Sequence, residues 1–180
     1  ICLPGFPHAL FAFANKAARD GLVTPFPWID VLVIGGLIVL NGVFAMSEIA
    51  LVTARKARLQ KLIDEGDSAA AAALKLGEDP TRFLSTIQIG ITSIGVLNGI
   101  VGEAAFSDSV SHWLVSAGMS PTAAAVVATA SVVTLITFLT IIFGELVPKR
   151  IAQLYPETIA RHTAPLMRML GLVARPFIAL

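Results

Sequence analysis

Stretches long enough to cross a bilayer recur in this chain without a charged side chain, and no other feature limits its fold as strongly. Residues 83–101 contain no Asp, Glu, Lys or Arg, which matches the ~20 residues that a hydrocarbon core demands of a helix. A second such stretch runs from about Ala123 to Phe143 and stops at Gly144-Glu145. A third, from about Trp28 to Ala54, has Asp30 near its start, Gly35-Gly36 and Asn41-Gly42 within it, and Glu48 near its far end. Composition agrees. The chain is 56% hydrophobic and 14% charged, against the ~25% charged residues of a soluble chain, so polar surface is too scarce to cover the apolar interior. The fold class is therefore an all-α membrane protein, since the polar-in, apolar-out alternation of a barrel is not visible.

Basic residues orient the spans. Lys16 and Arg19 precede the first span, and Arg55, Lys56, Arg58, Lys61, Lys75 and Arg82 lie between the first and second. None lies between the second and third, and Lys149, Arg150, Arg161, Arg168 and Arg175 follow the third. The positive-inside rule then places 55–82 and the C-terminal segment in the cytoplasm, and residues 1–27 and the 104–122 connection outside. The predicted architecture is three transmembrane helices (about 28–54, 83–101 and 123–143) plus a cytoplasmic juxtamembrane helical belt (about 55–76 and 157–175). In the belt, Leu59, Leu62 and Ile63 share one apolar face, and the alanines 69–73 extend a short amphipathic hairpin that Gly77 and Pro80 end. Beyond Pro156, Leu166, Met167, Leu170 and Val173 are expected to face the membrane, with Arg161, Arg168 and Arg175 at the headgroups. Pro165 and those three arginines weigh against a fourth span. Residues 1–27, with four prolines, read as an extracytoplasmic N-terminal segment without assigned function. The chain starts at Ile1 and breaks off at Leu180 without a polar tail, which predicts a piece of a longer protein.

Several function classes drop out. A net charge of +1 suggests no nucleic-acid partner, and Cys2 alone makes no disulfide framework. His8, His112 and His162 lack zinc spacing. There is no GxxxxGK[ST] run for an ATP motor, no HExxH, no paired aspartates and no base beside an intramembrane serine. The chain does not read as an enzyme.

Polarity appears in three places where hydrocarbon penalises it. The first holds Asn41, Ser47 and Glu48; Glu48 either serves a site or pairs with Arg55 or Lys56. The second holds Ser85, Thr86, Gln88, Thr92, Ser93 and Asn98 among Gly90, Gly95 and Gly99. Small residues there suit close helix packing, but Gln88 and Asn98 each need partners in an apolar phase. The third is Gly144-Glu145-Leu146-Val147-Pro148-Lys149. Pro148 cannot donate to the helical ladder, which frees carbonyls near residue 144 beside a carboxylate. That oxygen set suits Mg²⁺ or Na⁺, and broken spans with carboxylates are typical of transporter sites. The competing reading is a plain helix end with Glu145 and Lys149 paired at i,i+4.

The runs NGVFAMSEIALVTARKAR from Asn41, FLSTIQIGITSIG from Phe83 and GELVPKRIA from Gly144 resemble the CNNM/CorC transmembrane domain (DUF21) of magnesium and cobalt efflux and hemolysin-C-like proteins. The resemblance covers residues 28–180, and its most specific parts are GE-x-x-PK and the upstream SE-x-A-x-V-x-x-R. It implies a homodimer in the lipid bilayer of the bacterial inner membrane, with the N-terminus outside. It also implies cytoplasmic CBS-pair and CorC-type C-terminal domains beyond this segment, the former binding ATP. By resemblance, Glu145 is the key acid, Ser47 a serine near the ion, and Gly90, Thr92 and Ser93 the second-span oxygen donors. Pro148, Glu48, Asn41, Gln88, Asn98, Gly144 and Lys149 are supporting residues.

The function so implied is cation efflux, with Mg²⁺ (or Co²⁺) exported against Na⁺ entry. Ala45 and Ile91 stand where many members carry further oxygen ligands. The FAMSE and STIQIGIT variants resemble a branch that includes exporters of polyamines such as cadaverine and putrescine, so a polyamine is the alternative cargo. A membrane sensor or scaffold that moves nothing is the reading from a different class.

Overall fold

A computed structural model describes residues 28–77 and 80–178, without the side chains of 80–82, 168 and 170–178. Residues 1–27, and any role for them, lie outside the described residues. Among the described residues all regular structure is helical: α1 Trp28–Thr53, α2 Lys56–Asp64, α3 Ser68–Leu76, α4 Pro80–Ser116, α5 Pro121–Ile141, a π-helical segment Ile142–Leu146, α6 Val147–Leu154 and α7 Pro156–Ile178. Three stretches are long and apolar enough to cross a membrane: Trp28–Thr53, Phe83–Ser116 and Pro121–Leu154. The protein is an all-α membrane domain.

The 104–122 segment is not the connection that its polar residues suggested. Helix α4 continues to Ser116, and only residues 117–120 join it to α5. Glu103, Asp108 and His112 ended the uncharged run without ending the helix, because none of them removes a backbone donor. Gly118 ends it. Its φ of 98° is a left-handed conformation that costs glycine little. The N–H groups of Gly118 and Met119 then return to Val115 and Leu114, the hydrogen-bond pair of a Schellman cap. Gly66 closes α2 the same way, with φ 94° and the Gly66 and Asp67 N–H groups on Ile63 and Leu62.

Asp67 starts the next helix. Its Oδ1 accepts from the N–H groups of Ala69 at 2.9 Å and Ala70 at 3.2 Å, while Oδ2 accepts from Arg161 at 3.1 Å. The Ala70 N–H, then that of Ala69 and the Arg161 guanidinium, outweigh desolvation and hold this carboxyl below its usual range. The α2–α3 hairpin is thereby fastened to α7, and Arg58 adds a looser ion pair to Glu157 at 3.5 Å. Beneath these charges the junction is made of alanines: Ala50, Ala70, Ala73, Ala152, Ala160 and Ala164 are buried together with Leu59. Side chains this small let five helices approach closely.

Two further apolar layers lie among the long helices. One joins Phe44 and Ala45 of α1 to Phe83, Ile87, Ile91 and Ile94 of α4, and includes Met167 of α7. Met167 therefore faces the core rather than the membrane, whereas Leu166 is exposed; Leu170, Val173, Arg168 and Arg175 lie outside the described side chains. The other layer gathers Ile34 of α1 with Val132 and Ile136 of α5, flanked by Val101 and Phe106 of α4.

Candidate functional site

The π segment follows from one residue. In an α-helix the N–H of residue 148 would bond the carbonyl of residue 144, and Pro148 has no N–H. The ladder widens there, and the Val147 N–H reaches back five residues to the Ile142 carbonyl. The freed Gly144 carbonyl is taken up by a different helix: Asn41 Nδ2 of α1 donates to it at 3.2 Å, in a fully buried contact.

Two glycines make that contact possible. A methyl on Gly144 would lie 3.0 Å from Asn41 Nδ2, and one on Gly42 would lie 3.1 Å from Pro148 Cγ. Each helix thus presents a bare backbone to the other's functional side chain. One turn on, Lys149 Nζ lies 3.1 Å from Glu48 Oε2, both side chains half-buried. Lys149 therefore pairs across to α1, and neither a pair with Glu145 nor a pair of Glu48 with Arg55 or Lys56 forms. Ser47, fully buried, donates from Oγ to the Val43 carbonyl at 2.7 Å, which leaves its lone pairs unspent.

Glu145 differs from its neighbours. It is half-buried within the π segment, and among the described residues no ion pair or hydrogen bond engages its carboxylate. Asn41 Oδ1 is likewise buried without a partner. An unpartnered carboxylate thus follows, one residue along the chain, the Gly144 carbonyl that Pro148 frees and Asn41 binds, and Asn41 keeps an amide oxygen without a partner. Carboxylate, amide and carbonyl oxygens are hard donors of the kind that bind cations.

The matching family model is described as the cyclin M (CNNM) transmembrane N-terminal domain and covers residues 32–180. The chain belongs to the cyclin M family. Among its relatives are a UPF0053 protein of Synechocystis, 44% identical over 144 residues that make up 80% of this chain and 32% of the relative. A polyamine export protein of Salmonella typhimurium is 39% identical over 149 residues, 83% of this chain and 33% of the relative. The UPF0053 protein YhdT of Bacillus subtilis is 34% identical over 149 residues, 83% of this chain and 32% of the relative. The chain spans about a third of the length of these curated relatives.

Within this cyclin M domain the residues expected at the site separate into two groups. Asn41 with Gly144 and Glu48 with Lys149 meet across the contact between α1 and the π–α6 stretch, where Pro148 packs against Gly42; Ser47 is buried on α1 and bonds its own helix, and Glu145 lies in the π segment. Gly90, Gln88, Thr92, Ser93 and Asn98 do not join them. A methyl on Gly90 would lie 2.6 Å from Phe44 Cε1, so the ring of Phe44 covers that backbone. Gln88, Thr92 and Ser93 are exposed, and Asn98 is buried against Thr140 of α5, its Nδ2 3.3 Å from Thr140 Oγ1. Ala45 and Ile91, the two departures from the family pattern, are packed in the apolar layer around Phe44. Among the described residues no three His, Cys, Asp or Glu side chains gather. Gly42 was not anticipated as a site residue; its signal was the Asn-Gly pair, where the glycine admits Pro148.

Proposed function

We propose that this domain is the membrane part of a cation exporter and that its cargo binds at the π segment, with Glu145 as the principal acid. The observation that carries this reading is a carboxylate without a partner one residue along the chain from the Gly144 carbonyl, which Asn41 binds while its own Oδ1 stays unpartnered. An ionisable side chain in a membrane span is costly unless it is paired or has a use, and no partner within the described residues engages Glu145. Lys149, the nearest cation in sequence, is engaged by Glu48. The division of basic residues supports a bacterial inner-membrane orientation with the α2–α3 hairpin in the cytoplasm and the N-terminus outside. A homodimer would shield Gln88, Thr92 and Ser93, and ATP would act only through CBS domains beyond this segment.

Mg²⁺, or Co²⁺, is the first cargo reading, with Na⁺ entry as the coupled step. Mg²⁺ demands near-octahedral oxygen coordination. A diamine is favoured by a specific observation: Ala45 and Ile91 contribute no oxygen and are committed to apolar packing. An ammonium group needs fewer acceptors than a dehydrated Mg²⁺. Relatives that share 34–39% identity are named polyamine export proteins.

Flux into proteoliposomes carrying the full-length protein tests the reading. Mg²⁺ and cadaverine are compared in wild type and Glu145→Ala, with and without a Na⁺ gradient. Loss of Mg²⁺ flux in the variant supports Mg²⁺ export; cadaverine flux without Mg²⁺ flux supports the diamine. No flux of either from folded protein would overturn the exporter reading in favour of a sensor or scaffold.

A further inference from the structure

A second set of polar groups, apart from the π segment, lies along the seam between α4 and α5. Antiparallel packing sets the register. Next to the π segment, Asn98 bonds Thr140. One turn farther, Gly102 meets Ile136 so closely that a methyl on the glycine would coincide with Ile136 Cδ1. Beyond that contact the seam turns polar again. The hydroxyls of Ser107 and Thr129 lie 2.8 Å apart, and Thr129 Oγ1 donates to Glu103 Oε1 at 3.4 Å.

The register also sets depth. By its own sequence Glu103 would mark the end of a span, because it is the first charge after the uncharged run of α4. Its partner Thr129 places it deeper. Residues 121–144 carry no charge and form about 36 Å of helix, with Thr129 about 12 Å from the start. Glu103 is therefore held alongside the interior of an apolar span, where an ionisable side chain is costly unless it has a use. Among the described residues no cation pairs with it. Ser107 is buried, and Asn98, 1% exposed, keeps an amide oxygen without a partner. The seam thus carries unspent acceptors on both sides of the Gly102–Ile136 contact.

We propose that Glu103, Thr129 and Ser107 form a second cation site, suited to a small monovalent cation such as Na⁺. The Ile136–Gly102 contact separates it from the acid at the π segment. One carboxylate and two hydroxyls supply hard oxygens and a single negative charge, which matches a monovalent hard cation better than a divalent one. The Gly102–Ile136 contact belongs to an apolar layer in which Ile34, Val132 and Ile136 are buried together, with Val101 and Phe106 packed on them. Asn98 is the polar station on the other side of that layer. The separation from a cargo site rests on the exporter reading; the cation site itself does not.

Thermal unfolding of the purified full-length protein, with Na⁺ replacing choline at constant ionic strength, tests the site without any need for transport. The wild-type midpoint should rise saturably with Na⁺. In Glu103→Gln the Na⁺ concentration at half-effect should move up about tenfold or the response vanish, a change of about 1.4 kcal/mol in binding. Glu145→Gln should keep the Na⁺ response. Thr129→Val should weaken it and Thr129→Ser retain it, so that the pair decides the matter if Glu103→Gln does not fold. A wild type indifferent to Na⁺, or a Glu103→Gln or Thr129→Val protein that titrates like wild type, overturns the proposal. A Na⁺ response that depends on Glu103, in a protein that transports neither Mg²⁺ nor cadaverine, would leave this site standing while the exporter reading failed.

Discussion

Two segments of this chain carry polar groups at membrane depth, and the fold treats them in opposite ways. At the junction of α1 with the π segment, Asn41, Ser47 and Gly144 are turned inward and buried. In the middle of α4, Gln88, Thr92 and Ser93 are turned outward, while Ile87, Ile91 and Ile94 take the inner face. The difference is one of partners. Asn41 has a detached carbonyl to satisfy, created by Pro148 and reached across a glycine. The α4 ladder contains no such break, so no freed carbonyl draws Gln88, Thr92 and Ser93 inward. A polar residue in a span is thus inward where the fold supplies a partner, a freed carbonyl for Asn41 or a facing hydroxyl for Asn98, and outward where it supplies none.

The largest expected effect breaks the first of these arrangements. Gly144→Val would place branched carbons where a single methyl already lies 3.0 Å from Asn41 Nδ2 and 3.4 Å from the Ile38 carbonyl. Both neighbours are fixed, one by a buried hydrogen bond and one by helical backbone, so the helices must separate. Overpacking of this kind costs about 1–3 kcal/mol, and the Asn41 bond is lost with it. Thermal unfolding in detergent should show the destabilisation, and flux should be lost as well. A Gly144→Val protein of wild-type stability would mean that the close approach of α1 to the π segment is not what holds them together.

A smaller effect isolates the hydrogen bond. Asn41→Leu keeps the volume and removes the donor, which strands the Gly144 carbonyl in an apolar contact. A stranded buried group costs about 1–3 kcal/mol, offset in part because the unpartnered Oδ1 of Asn41 disappears too. The variant should therefore unfold at a lower temperature than wild type but above Gly144→Val. Equal stability of Asn41→Leu and wild type would show that the carbonyl finds another donor.

How far the sequence revealed this arrangement depends on the range of the forces involved. The spans were legible because a hydrocarbon core admits few charges over about twenty residues, and a broken turn at Gly144-Glu145 was legible because Pro148 acts on its own ladder. The partner of the broken turn was not. Asn41 and Gly144 are 103 residues apart, and Lys149 had two carboxylates within reason until packing placed Glu48 against it. The length of α4 was misjudged because polar residues change the environment of a helix, not its hydrogen bonds. Glu103 had no signal of its own in the sequence. Its depth is set by the register with Thr129, a property of two helices that no stretch of one reveals.

The outward face of α4 yields a prediction of almost no change in the separated chain. Thr92→Val and Ser93→Ala touch exposed positions, so each should shift the stability of the separated chain by less than about 0.5 kcal/mol. If that face is covered in the assembled protein, the same substitutions should instead alter the dimer fraction or the flux. Analytical ultracentrifugation in detergent and the proteoliposome assay read the two effects separately. A shift in monomer stability, with assembly and flux unchanged, would place these hydroxyls inside the fold after all and erase the contrast with α1.

Outside the membrane the contrast has a third case, in which polar partners are supplied in full. Asp67 caps α3 and binds Arg161, and its carboxyl is held below the usual range by the Ala70 and Ala69 N–H groups and by that arginine. A carboxyl depressed in the folded state adds stability that is fully present above its unfolded value of about 3.9 and is lost as pH falls through the lower folded value. The hairpin should therefore hold its protection unchanged between about pH 5 and 7 and loosen only beneath the ordinary carboxylate range. Asp67→Asn removes the ionised form and the strong pair with Arg161, so the variant should exchange the amides of Ala69 and Ala70 faster than wild type near neutrality. Hydrogen exchange on both proteins across this range should show the gap closing toward acid, because protonation brings wild type to the state of the variant. A gap that persisted below pH 3 would assign the protection to geometry alone. The Arg161 contact would then be a consequence of the docking of α7 on the hairpin and not one of its causes.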